Sequence, residues 1–251
     1  MTVTELDTAW AEKYGEFPNT GMNTNKTRDV FVRNGSAIFQ ALEQAVMDYA
    51  PGSNLGEMTV LDFGCGIGRV AMPFHHKYGR PTHACDVLKK YVDWLSDALP
   101  DVDIHRSGME PPLKFDDETF DLVYSISVWT HMDNDAGTAW LQEIKRVLKP
   151  GGMALISTSS YGQLEKHRKH RLADRKSAWE GVTDEQVKEE GVVFRGNEFK
   201  NMGEAYGVTI HDPDYVMREW SKIMPVQETR IRNIGGAAGG SQDLNIMIKE
   251  A

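Results

Sequence analysis

The sequence predicts an α/β domain: a doubly wound, seven-stranded, mostly parallel sheet with an N-terminal helical arm and an insertion in its C-terminal half. Three observations predict it. Short apolar runs alternate with segments of helical periodicity from residue 58 to residue 158. Glycines at alternate positions, Gly64, Gly66 and Gly68, follow the first apolar run, at the point where open α/β sheets bind ligands. The chain has 251 residues, enough to bury a core without disulfide or metal staples.

The elements follow in order. Residues 1–27 are polar and turn-rich and predict an irregular arm, with a short helix around Leu6–Tyr14. Ile38, Phe39, Leu42, Ala45, Val46 and Tyr49 share one helical face over residues 36–50. Pro51-Gly52 stops that helix. Met58–Phe63 reads as a buried parallel strand. Arg69–Tyr78 predicts a helix that Pro73 weakens, and Pro81–Val87 a second strand ending near an acid. Leu88–Leu99 is helical, with Leu88, Tyr91, Val92 and Leu95 on one face. Val102–His105 and Phe120–Val128 are strands three and four. Asp135–Leu148 is amphipathic, and Pro150-Gly151-Gly152 turns it into strand Met153–Thr158. Beyond residue 160 the pattern loosens. Helices are expected over Gln163–Lys176, over Thr183–Glu190 with Thr183 as N-cap, and over Asp212–Ile223. Pro225–Ile231 and Asp243–Lys249 are the last strands, joined by a glycine-rich linker at residues 235–240. The expected organisation is one domain over 1–251: an arm (1–52), a ligand-binding core (53–160), a lid or substrate insertion (161–224) and the final strands (225–251), with no second core.

Composition narrows the function classes. Apolar residues are 40% and charged residues 26% of the chain, as in an ordinary soluble protein. Lys and Arg total 28 against 37 Asp and Glu, a net charge of −9. So acidic a body repels a phosphate backbone, so no nucleic-acid partner is expected. No apolar run approaches the length of a membrane helix, and residues 1–10 lack a secretory pattern. With only Cys65 and Cys85 there is no disulfide framework. A cytoplasmic location is the expectation.

The chemistry centres on Val60-Leu-Asp62-Phe-Gly64-Cys65-Gly66-Ile-Gly68-Arg69. Glycines here let backbone N–H groups approach a ligand with no Cβ in the way. The dinucleotide fingerprint G-x-G-x-x-G fails, because Arg69 occupies the third glycine slot. The phosphate-binding P-loop fails too, since no Gly-Lys-Ser/Thr follows. A nicotinamide-dependent oxidoreductase is therefore the weaker alternative.

Leu61-Asp-Phe-Gly-Cys-Gly-Ile-Gly68 resembles the first motif of the class I S-adenosylmethionine (SAM)-dependent methyltransferases, whose fold is Rossmann-like. The resemblance extends to Asp86, to Phe115-Asp-Asp-Glu-Thr-Phe-Asp121-Leu-Val, and to Leu148-Lys-Pro-Gly-Gly152, and covers roughly residues 55–160. The strings 206–211 and 214–220, together with Gln242-Asp-Leu, resemble a bacterial branch that pairs Phe-Gly-Cys-Gly-x-Gly-Arg with Ser-Val-x-Thr-His. The resemblance implies SAM as cofactor and methyl transfer to a small molecule as activity. It implies that Gly64, Cys65, Gly66 and Gly68 shape the pocket around the methionine half, and that Asp62 pairs with the amino group. Asp86, with Val87 beside it, would hold the ribose hydroxyls. Met109 would pack on adenine, and Ser125 and Ile126 would border the methyl donor. Gly108 stands where relatives carry an acid, so adenine recognition would fall to Glu110 or to backbone groups.

His131, in Ser127-Val-Trp-Thr-His131, is the expected general base, taking a proton from a hydroxyl or ammonium as the methyl arrives. The alternative is that it caps the next helix or packs on the cofactor. Trp129, Tyr161, Tyr206 and His211 are candidates for the acceptor pocket or, equally, for the core. Cys65 and Cys85 read as buried fillers. The basic stretch from Lys166 to Lys176 suggests an anionic or zwitterionic acceptor or a solvated helix face. His167 and His170 have no completing ligands, so no metal is expected. Methylation at oxygen is the first reading. N- or S-methylation and a non-catalytic SAM-binding protein are the alternatives. The acceptor's identity and the oligomeric state are not encoded in any motif.

Overall fold

Val60–Phe63 (β1) is buried at all four positions, which puts it inside a sheet rather than at an edge. The computed structural model describes residues 8–13, 28–79, 81–169, 178–196, 204–235 and 241–250. Around β1 lie His83–Asp86 (β2), Asp103–Arg106 (β3), Phe120–Ser125 (β4), Leu148–Thr158 (β5), Val226–Gly235 (β8) and Ser241–Ile248 (β9). Their spatial order is β3-β2-β1-β4-β5-β9-β8. The first five run parallel, β9 is antiparallel to β5, and β8 is antiparallel to β9. The chain winds from β1 out to β3 and then returns to β4. The crevice at the carboxyl ends of β1 and β4 is therefore the topological switch point.

Two helical layers cover the sheet. Arg28–Tyr49 (α2), Ala71–Tyr78 (α3) and Lys89–Ala98 (α4) lie on one face. There Ile38, Leu42, Val46 and Phe74 meet Val60, Leu122, Tyr124 and Leu155, while Tyr91 and Leu95 pack with Met72 and Ala84. Asn134–Val147 (α5) and Pro213–Glu219 (α8) cover the other face. Trp140, Leu141, Ile144 and Val147, the stripe expected from the periodicity, pack there against Phe63, Val123 and Ile156. Each such fully buried aliphatic side chain contributes roughly 1.5–3 kcal/mol.

Local chemistry explains the boundaries. Helix α2 begins well before residue 36 because Phe31, Val32 and Gly35 continue its buried face. The Pro73 ring sits in the first turn of α3, where no intrahelical N–H bond is lost. Asp133 caps α5 by accepting from Ala136 N at 2.8 Å. Strand β5 starts at Leu148, earlier than expected, because Leu148 pairs with Phe120 before the Pro150-Gly151-Gly152 irregularity shifts the register. Gly152 must be glycine here: a Cβ would lie 2.8 Å from Lys149 O. In the arm, Trp10–Lys13 is helical (α1); residues 14–27 and the linker 236–240 lie outside the described residues.

The insertion differs most from expectation. Tyr161–Lys169 (α6) and Asp184–Glu190 (α7) are helical, and Thr183 Oγ1 accepts from Gln186 N at 3.1 Å, as the spacing predicts. Val192–Gly196 (β6) and Gly207–His211 (β7) form an antiparallel pair that helical periodicity did not reveal. Leu164, Trp179, Val182, Val187, Val193 and Ile210 make a small apolar cluster of the insertion's own. Thr209 Oγ1 donates to Met132 O, and His211 N donates to Ser159 O at 2.8 Å. These bonds fasten the insertion over the ends of β4 and β5.

Candidate active site

Three backbone N–H donors anchor the loop after β1. The N–H groups of Gly64 and Cys65 donate to Cys85 O at 2.9 and 3.0 Å. Gly66 N donates to Asp86 Oδ2 at 2.9 Å. The three glycines have φ of 78°, 54° and 79°, the left-handed region that side chains resist. Their surroundings separate their roles. A Cβ on Gly64 would lie 2.2 Å from Val128 Cγ2, and one on Gly68 would lie 2.5 Å from Leu95 Cδ1. A Cβ on Gly66 meets nothing within 4 Å. Gly64 and Gly68 let the loop pack; Gly66 faces the open side.

Two buried carboxylates flank that loop. Asp86, 7% exposed, also accepts from Leu88 N at 2.8 Å on Oδ1. Burial pushes its pKa up, and bonds from Leu88, Gly66 and Val87 oppose the rise. Three donors still leave lone-pair capacity on its two oxygens, so a diol can still be held. Asp62 lies opposite Tyr124 in the β1–β4 ladder and accepts from its hydroxyl at 3.0 Å. Burial raises Asp62 to about 8 despite that bond. Ser125 Oγ donates to Phe63 O at 2.9 Å, and Ile126 is buried against the α2–α3 face. Val87 O accepts from Arg106 Nε at 2.9 Å. Met109 stands on the rim, 45% exposed, with its carbonyl accepting from Trp140 Nε1 at 3.3 Å. Cys65 and Cys85 are free thiols, buried and pushed up by desolvation, which leaves them protonated and inert.

On the other side of the crevice stands His131, in a 3-10 turn at Trp129–His131. Its Nδ1 is 2.9 Å from Gly207 O. A carbonyl can only accept, so Nδ1 carries the proton, and in the neutral ring Nε2 holds the lone pair. Burial lowers its pKa. The Tyr206 ring stacks on His131 with centroids 5.4 Å apart and planes 16° from parallel. Burial raises the Tyr206 phenol, and the charge of Asp86 adds to the rise. Tyr206 thus spans the crevice from His131 toward Asp86.

The other acceptor-pocket candidates are placed differently. Trp129 is 1% exposed, donates from Nε1 to Gly137 O at 3.1 Å, and packs between Phe63 and Trp220. Of its two expected readings, acceptor pocket or core, this burial favours the core; the sharp turn after β4 rotates it inward. Tyr161 donates its hydroxyl to Asp212 Oδ2. His211 is buried edge-on against Trp220, lowered to about 4, and its Nδ1 has no partner among the described residues. Of the basic stretch, Arg168 is paired with Asp184 at 2.9 Å; the side chains of His167 and Lys169 and all of residues 170–177 lie outside the described residues. Among the described residues no group of three His, Cys, Asp or Glu is placed to hold a metal ion. No helix among them is long and apolar enough to cross a membrane.

Tyr124, Ser127 and Gln242 were not singled out as site residues by sequence. Ser127 has φ 65°, its N–H donates to Ser157 Oγ at 2.7 Å, and its Oγ meets Gln242 and Arg69. The cross-strand pair Asp62–Tyr124 was legible only to a reader who already knew that β1 neighbours β4.

Part of the chain is similar to known proteins. Residues 60–152 match the family described as "Methyltransferase domain". The 2-methyl-6-phytyl-1,4-hydroquinone methyltransferase of Synechocystis sp. is 30% identical over 101 residues, 39% of this chain and 31% of that protein. The chain spans between 31% and 41% of the curated relatives it matches. The magnesium protoporphyrin IX methyltransferase of Synechocystis, solved with bound S-adenosylhomocysteine (SAH), superposes with a TM-score of 0.58 at 13% identity, covering 96% of this chain and 93% of that one. The 1,6-didemethyltoxoflavin-N1-methyltransferase of Burkholderia thailandensis, also with SAH, gives 0.59 at 14% identity, covering 91% and 84%. At such identities the likeness is one of fold.

Proposed function

We propose that the chain, whose residues 60–152 match a methyltransferase domain, is a class I SAM-dependent methyltransferase that transfers a methyl group from SAM to an oxygen of a small-molecule acceptor. The observation that carries this reading is the pairing of a cofactor cradle with a preset base across one crevice. Gly66 presents an open face and ties its N–H to Asp86. His131 faces the same crevice with its Nδ1 proton committed to Gly207 O.

When bound, SAM supplies an electrophilic methyl on a positive sulfur. Asp86 would accept the ribose hydroxyls, and Asp62 would take the amino group. Those roles fit two buried carboxylates, since neither has a cation at hydrogen-bonding distance among the described residues. Gly64 and Gly68 keep the loop in shape, and Met109 covers the rim. His131 Nε2 would remove the acceptor hydroxyl's proton. Its lowered pKa keeps it neutral and ready at pH 7. An amine acceptor that is already nucleophilic would not need that base, which is why the committed tautomer of His131 favours oxygen. Tyr206, stacked on the imidazole, would hold the ring in plane and screen it from water.

The test uses SAM labelled in its methyl group, incubated with the chain and a metabolite extract. Label should move to a small molecule, and Asp86→Ala should weaken SAM binding in calorimetry. Unchanged SAM affinity in that variant would remove the cofactor assignment. Tight binding with no transfer to any acceptor would favour a non-catalytic SAM-binding protein.

A further inference from the structure

His131 is oriented from the insertion. Two groups that fix its ring are the Gly207 carbonyl at 2.9 Å and the Tyr206 ring stacked on it, and both lie at or just before the start of β7. The ring keeps this place while residues 205–209 stay in register with residues 131–133. Backbone supplies part of that register. Asp133 N donates to Ala205 O at 3.1 Å, and Met132 pairs with Tyr206 as an isolated antiparallel bridge. A further tie is a side chain: Thr209 Oγ1 donates to Met132 O. A backbone bond survives any substitution other than proline, whereas this tie depends on which residue stands at 209.

Strand geometry aims that hydroxyl. Successive side chains of a strand point to opposite faces. Val208 and Ile210 face the insertion's own cluster with Val187 and Val193. Gly207, Thr209 and His211 therefore face the other way, toward the turn after β4 and Trp220. Thr209 and Met132 are both buried, so bulk water cannot take over the carbonyl. Branching at Cβ restricts χ1 and holds the hydroxyl in its direction. The strand behind it is fixed as well. Gly207 pairs with Gly196 and Thr209 with Phe194 in β6, and a Cβ on Gly207 would lie 2.1 Å from Arg195 O. Thr209 thus ties a closely packed ribbon to the turn that carries His131. Asp62, Gly66 and Asp86 stand on β1, β2 and the loop after β1, outside this ladder.

We propose that Thr209 is a positioning residue for methyl transfer: by holding Met132 O it keeps Gly207 O on His131 Nδ1, which leaves Nε2 as the nitrogen that meets the acceptor hydroxyl. The catalytic part of this rests on the methyl-transfer reading with His131 as base. The insertion then orients the base as well as covering the ends of β4 and β5.

The test follows the His131 tautomer in the ligand-free chain by proton–nitrogen correlation NMR, with the ring resonances assigned by their loss in His131→Gln. The wild type should carry the proton on Nδ1. Thr209→Val removes the hydroxyl and keeps the branched shape. It should mix in the tautomer with the proton on Nε2 and slow label transfer from saturating SAM into the metabolite extract ~10–100-fold, with SAH affinity in calorimetry unchanged. Thr209→Ser retains a hydroxyl and should restore both tautomer and transfer. A Thr209→Val chain with the wild-type tautomer overturns the proposal, as does an altered tautomer with wild-type transfer. Equal losses of transfer and SAH affinity would mark a general structural defect and overturn it too. If Thr209→Val does not fold, Thr209→Ala is read in the same way, because the smaller side chain leaves room for a water on Met132 O. A Thr209→Ser chain that loses the Nδ1 proton also overturns the proposal. A wild type with its proton on Nδ1 that transfers no methyl to any acceptor would count against the methyl-transfer reading alone, and the tautomer in the variants would still decide whether Thr209 holds the ring.

Discussion

Asp62 should make cofactor binding release a proton. Its carboxyl is buried beneath Tyr124 and titrates at about 8 in the empty chain. To pair with the cofactor's ammonium it must ionise. A group of that pKa is ~90% protonated at pH 7, so binding should release about 0.9 proton, and linkage makes the affinity climb about nine-fold between pH 6 and pH 7. That rise is worth about 1.3 kcal/mol, close to the 1.4 of a full tenfold step. The assay is calorimetry with SAM in buffers of different ionisation enthalpy, at several pH values. Asp62→Asn should abolish the buffer dependence. An enthalpy independent of buffer, with affinity flat from pH 6 to 7, would refute the argument. The sign for stability follows. The folded pKa lies above the ordinary 3.8, so the contribution of the neutral carboxyl is complete below that value. It is lost as pH rises through about 8, and the empty chain should melt at lower temperature as the solution becomes alkaline.

Three further outcomes follow from the packing. His131→Ala should keep SAM affinity and lose ~10²–10⁴-fold in turnover; because its pKa is lowered, the wild-type turnover number at saturating SAM should be flat across pH 7–8 and fall only in acid, and a saturated turnover that keeps rising above pH 7 would exclude it as the base. Gly64→Ala places a Cβ 2.2 Å from Val128 at positive φ, so unfolding in urea should show a loss of ~1–3 kcal/mol, whereas Gly66→Ala, with no clash, should reduce SAM affinity more than it reduces stability. Trp129→Ala should destabilise by about 3–5 kcal/mol as a core truncation, measured by chemical denaturation; a variant of wild-type stability whose defect is confined to acceptor KM would return Trp129 to the pocket.

Much of this architecture lies on the surface of the sequence, and for local reasons. A continuous apolar run marks β1 because a central parallel strand is buried on both faces, and a period of 3.6 marks α5 because a half-buried helix must repeat its apolar face. The turn at Gly64–Gly68 is readable because positive φ admits little else. Asp86 was singled out through the family resemblance, and it ends β2, the strand that neighbours the loop. The β6–β7 pair could not be read from the sequence, because its partners are joined through residues 197–206 and neither strand alternates strongly over five positions. The fate of the aromatic candidates was equally closed to a linear reading. Trp129 and His131 are two residues apart; one is buried in the core and the other is half-buried beside Tyr206. A single 3-10 turn decides between them, and that turn is held by Gly207, 76 positions along the chain.

The amino-acid order alone determined the strand succession, the glycine loop and the two acids, because those depend on neighbours within a few residues. Folding decided which side chains meet. The proton on His131 and the raised pKa of Asp62 arise from contacts between distant segments and from the loss of water around them. Those two features carry the proposed chemistry, and each is a property of burial, which no residue possesses until the chain has closed over it.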